Sequence, residues 1–112
     1  MNLLEETIAA LELHNKSKDD VKFCQSKMGW FSWEEFEAVA RVCEYDAGFG
    51  AQEIASDLVI VGSDFWLERD EYDGSEDWAF RVAPVRSEIK IVPAKFNGGR
   101  WSTHREIEGL KK

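Results

Sequence analysis

The sequence is poor in the residues that most reactive chemistry requires. It has two cysteines, Cys24 and Cys43, and two distant histidines, His14 and His104. They show no paired ligand spacing, so no zinc site is expected. Neither histidine belongs to a recognisable nucleophile motif such as Gly-x-Ser-x-Gly, so no catalytic triad is expected. Gly48-Phe49-Gly50 lacks a third glycine and follows a helical pattern rather than a strand, which sets aside a dinucleotide fingerprint. Catalytic residues, metal ligands and cofactors are therefore all expected to be none. Both cysteines sit in apolar contexts and read as buried free thiols of a reducing compartment. No apolar run approaches the length of a membrane span, and the residues after Met1 have no basic leader pattern. Positive charge is scarce as well. Fourteen Lys/Arg stand against 22 Asp/Glu, a net charge of −8. That balance argues against direct binding to nucleic acid, whose binders present basic stripes.

What the chain does have is aromatic and acidic. Five Trp and seven Phe in 112 residues let a small fold bury a large apolar area with few side chains. The length fits one domain, residues 1–112. Charge divides the chain. Residues 1–80 carry six Lys/Arg and nineteen Asp/Glu, a net of −13, and residues 81–112 carry eight and three, a net of +5. An acidic body thus precedes a basic, partly extended tail over 85–112.

Periodicity predicts the elements. Leu4, Ile8 and Leu11 share a helical face over 2–14, with Glu5 and Glu6 in the first turn where the helix dipole favours them. Val21 to Gln25 alternates as a strand. Ser32-Trp33-Glu34-Glu35 has the form of a capping box, opening a helix to about Glu44 with Trp33, Phe36, Ala40 and Cys43 on one face. Asp57 to Gly62 is a β-branched run, Ser63-Asp64 a turn, and Phe65 to Arg69 the returning strand. Asp73-Gly74 signals a tight hairpin, and Asp77 to Val82 completes a meander. Glu88 to Val92, between Pro84 and Pro93, reads as a short edge strand or an extended arm. The expected fold class is α+β: an antiparallel meander of three to four strands with one or two helices on one face.

The densest feature is the hairpin around Tyr72-Asp73-Gly74. Glu68, Asp70, Glu71, Asp73, Glu76 and Asp77 are six acids in ten residues, with Arg69 alone opposing them. Like charges across a hairpin are destabilising, so the cluster reads as a partner-binding surface, flanked by Trp66 and Trp78. Asp70, Asp73 and Glu76 are also oxygen donors within one turn, though without the spacing of a calcium loop. In the tail, basic residues interleave with Phe96 and Trp101, an arrangement that suits the acidic body of the same chain or of a second copy.

The blocks Trp33-Glu34-Glu35-Phe36, Tyr45-Asp46-Ala47-Gly48-Phe49-Gly50, Ala55-Ser56-Asp57-Leu58-Val59-Ile60 and above all Trp66-Leu67-Glu68-Arg69 followed by Tyr72-Asp73-Gly74-Ser75-Glu76 resemble a family of small phage and prophage accessory proteins. The likeness covers about residues 20–84. It implies a phage gene acting in the bacterial host cytoplasm. By analogy it implies a non-enzymatic inhibitor of anti-CRISPR or other anti-defence type, which binds a basic groove on a host nuclease or other nucleic-acid enzyme by mimicking nucleic acid. The alternative is an oligomeric structural or assembly phage protein, in which acidic hairpins meet basic tails between copies. Neither reading requires a membrane.

Overall fold

The computed structural model describes residues 1–46, 52–72, 74–97 and 102–109. The chain forms helix α1 (Leu3–Leu13), strands β1 (Val21–Ser26) and β2 (Gly29–Phe31), helix α2 (Trp33–Ala40), strands β3 (Val59–Gly62), β4 (Phe65–Tyr72) and β5 (Ser75–Val82), and a short helix α3 (His104–Ile107). The five strands make one antiparallel sheet in the order β2-β1-β3-β4-β5. The expected α+β class is what the chain adopts. The meander β3-β4-β5 is extended by β1 pairing with β3, and by β2, which sequence patterning missed. β2 is three residues long, too short to show alternation. It follows the two-residue turn Lys27-Met28, and its first residue, Gly29, takes a φ of 143°, a conformation other residues rarely adopt.

Alternation along the strands divides the sheet into two faces. Phe31, Cys24, Ile60, Leu67 and Phe80 lie abreast across all five strands on one face. Leu3 and Leu11 of α1, and Trp33, Phe36 and Ala40 of α2, pack with them to form the core. Burial pushes the Cys24 thiol up to about 12, with Glu34 adding to the effect, so this thiol is inert as a nucleophile. Cys43 is also a free thiol.

The buried stripe of α1 is Leu3, Thr7 and Leu11, while Leu4 and Ile8 are half-buried. Thr7 is buried because its hydroxyl donates to Leu3 O at 2.7 Å and accepts from Trp78 Nε1 at 2.8 Å. The capping box of α2 forms as expected: Glu35 N donates to Ser32 Oγ, and Ser32 N donates to Glu35 Oε1. Those two Ser32 contacts, backbone first, hold the Glu35 carboxyl below its usual range. The helix stops at Ala40, short of Glu44. The segment after it is taken by the N-terminus instead, with Leu3 N donating to Cys43 O, Tyr45 N to Met1 O, and Asn2 bridging Glu44. Gly48 and Gly50, whose pattern was set aside as a dinucleotide fingerprint, lie outside the described residues.

Gly62 opens the β3–β4 turn. A Cβ there would meet the Phe65 ring at 2.0 Å, so the close approach of the ring requires glycine. Beyond Val82 the chain leaves the sheet. Glu88 to Val92 forms no strand, and residues 83–97 are exposed throughout. The radius of gyration is 18.3 Å, against about 13 Å for a compact domain of this length. The tail is therefore an arm. Its far end is organised locally: Glu108 Oε2 accepts from the backbone N–H groups of Lys95 and Ala94 and lies 3.0 Å from His104 Nε2.

Candidate functional site: an acidic hairpin on a buried ion network

The β4–β5 hairpin places the seven described residues of the expected partner-binding set in three different environments. The register opposes Asp70 to Asp77, Glu71 to Glu76 and Arg69 to Trp78. Residues 66, 68, 70, 77, 79 and 81 point away from the helices, and residues 65, 67, 69, 76, 78 and 80 point toward them.

Glu76 and Trp78 are thereby withdrawn from the surface. Both are buried, so neither is available to a partner, which corrects the expectation for these two. Glu76 belongs to an ion network centred on Arg69, whose side chain is fully buried. The Arg69 guanidinium lies 2.8 Å from Glu76 Oε1 and 3.3 Å from Glu6 Oε1 of α1. It donates to the Tyr45 hydroxyl at 3.1 Å, and that hydroxyl donates to Glu6. The guanidinium carbon sits 4.6 Å from the Trp78 ring centre, a cation–π geometry. Among the described residues Arg69 Nε has no hydrogen-bond partner, so the ring face offsets part of that cost.

The second carboxylate oxygen of Glu76 accepts from Glu53 N at 2.6 Å, and Ile54 N donates to the first. Burial alone would push the Glu76 carboxyl up. The Glu53 N–H, Arg69 and the Ile54 N–H outweigh it and leave the group below its usual range. Burial, then the hydrogen bond to Glu6, pushes the Tyr45 hydroxyl up to about 12. One arginine thus ties together α1, the segments at 45 and 53–54, and both strands of the hairpin.

Trp66 and Glu68 lie on the other face, half-buried. Trp66 Nε1 donates to Glu68 Oε1 at 2.7 Å, and Arg81 Nε stands 3.6 Å from the same oxygen. Glu68 is therefore partly neutralised within the sheet. Asp70, Glu71 and Asp77 are exposed at the tip. Glu71 accepts from Gly74 N at 2.9 Å and so holds the turn, in which Gly74 takes a φ of 86°. Asp73 lies outside the described residues. Tyr72, which sequence reasoning used only to locate the turn, is 83% exposed.

The oxygen donors do not converge on a cation. Asp70 and Glu76 are on opposite faces of the hairpin, and among the described residues no three His, Cys, Asp or Glu side chains form a metal-sized group. On the helix side, an apolar cavity of about 340 Å³ is lined by Leu3, Phe31, Phe36, Val39 and Leu58. Its polar neighbour, Glu35, is committed to the cap of α2.

What the site offers chemically is a charged surface set on a rigid base: an exposed tip with Asp70 and Asp77 side by side, Glu71 and Tyr72 adjacent, and the Arg69 network beneath. No protein-family model, curated protein or solved structure matches the chain. Among the described residues no helix is long and apolar enough to cross a membrane.

Proposed function

We propose that this is a non-enzymatic binding protein whose hairpin tip docks into a basic groove of a nucleic-acid enzyme, taking the place of phosphates. The carrying observation is the exposed Asp70–Asp77 pair, directly opposed across β4 and β5. Like charges at that position disfavour the hairpin, and the basic residue nearest in sequence, Arg69, is turned inward to Glu6 and Glu76. The tip charge is left for a cationic partner. Tyr72 supplies an exposed aromatic of the kind that anchors interfaces. With the resemblance to phage accessory proteins, the reading becomes an anti-defence inhibitor, of anti-CRISPR or related type, acting in the bacterial cytoplasm.

Association of this kind is steered by charge and weakens with salt. The test is capture of partners from bacterial lysate at low and high salt, with the wild type and with an Asp70→Asn, Glu71→Gln, Asp77→Asn variant. The reading expects a salt-sensitive nucleic-acid enzyme on the wild type and its loss on the variant. Equal capture by both proteins overturns it.

A further inference from the structure

The sheet has an apolar face that α1 and α2 leave open. Trp30, Gln25, Val59, Glu68 and Ala79 form one row across the five strands, and Phe23, Val61, Trp66 and Arg81 form the next. Trp30 is 72% exposed. With Lys22, Phe23 and Gln25 it lines a shallow hollow of about 380 Å³. Phe23, Val59, Val61 and Trp66 are half-buried by their neighbours within the sheet.

The same chain carries a second uncovered apolar surface. Val85, Ile89, Ile91, Val92 and Phe96 of the arm are all exposed, and Ile89 and Ile91 share the spacing that puts side chains on one side of an extended chain. Two such surfaces in one small protein are unfavourable in water unless each is covered.

We infer that the arm of one copy covers the open sheet face of a second copy, in a reciprocal exchange that makes a dimer. Charge supports the match. The arm carries exposed Arg86, Lys90 and Lys95 against one acid, Glu88, and the open face carries Asp70 and Asp77 beside the Glu68–Arg81 pair. Length supports it as well. Residues 83–97 at about 3.3 Å per residue outspan a five-strand sheet, which is roughly 20 Å across at its usual strand spacing. A second copy is the occupant that the shape favours, because the arm runs away from its own body. The molecule is 53 Å long against 27 Å in its shortest direction, and Pro84 fixes the backbone immediately after β5. Arm and face together supply roughly twenty residues per copy, the low end of what a stable interface uses. The inference shares Asp70 and Asp77 with the proposed docking tip, while the apolar rows of the face and the apolar residues of the arm lie outside that tip.

Light scattering on the full chain over a wide dilution series tests it, beside two double variants: Ile89→Asp with Ile91→Asp in the arm, and Phe23→Ser with Trp30→Ser on the face. The full chain is expected as a dimer at the concentrated end. Each variant is expected to weaken self-association at least about tenfold, as loss of an interface anchor does. Circular dichroism confirms that the variants stay folded, and the arm variant leaves the body untouched by design. A full chain that remains a single copy throughout, or a dimer that persists undiminished in the arm variant, overturns the inference. A face variant that stays folded and dimerises like the wild type also overturns it. Lysate capture by the hairpin is read separately, so failure of one proposal does not carry the other with it.

Discussion

Arg69 is the residue on which the body's internal order turns. Changing it to Met leaves Glu76 and the Tyr45 hydroxyl buried, and Glu6 half-buried, without their cation. Breaking a buried pair by removing one partner costs about 3–5 kcal/mol, so Arg69→Met is expected to lower the denaturation midpoint sharply in a urea titration. Glu76 adds a pH dependence. Its folded carboxyl lies below its usual range, so its contribution is complete above the unfolded value of about 4.3. The contribution is lost as pH falls through the folded value. Stability measured from pH 6 downward should drop more steeply in the wild type than in Glu76→Gln. Tyr45 has the opposite sign. Its folded value of about 12 exceeds the unfolded value of about 10, so its contribution is complete below the lower value and lost in strong base. At this scale the sequence was only half legible. Arg69 shares the period-two face of Phe65 and Leu67, which is enough to place it inside. Its partner Glu6, however, is 63 positions away, and no local pattern announces that meeting.

Among the elements, those with chemical punctuation were legible and those defined by tertiary contact were not. Ser32 and Glu35 signalled the start of α2, and Ser32→Ala is expected to cost about 1 kcal/mol of stability, the usual worth of an N-cap. Its end at Ala40 was not signalled, because residues 43–45 leave the helical path to bond with Met1 and Leu3. β2 was hidden by its length. The hairpin β4–β5 was visible in Asp73-Gly74 and in the alternation on either side. Alternation also held the information that divided the candidate site: Glu76 and Trp78 share a face with Phe80, and Asp77 is on the other. Charge density drew them into one cluster, whereas the pleat separates them.

For the whole molecule, the split of charge between an acidic body and a basic tail translates into a body with a protruding arm. What the arm meets was beyond sequence, since complementary charge is equally satisfied within a chain, between copies or on a partner. The central claim is that the exposed carboxylates at the hairpin tip stand in for phosphates. The most direct measurement is the affinity of the captured enzyme for the wild type and for the Asp70→Asn, Glu71→Gln, Asp77→Asn variant, with DNA as competitor. The account predicts that DNA and the wild type exclude one another from the enzyme, and that the variant binds at least about tenfold more weakly, the scale of losing one or two good charge contacts. Simultaneous binding of DNA and the wild type, or an affinity indifferent to the three substitutions, would contradict it.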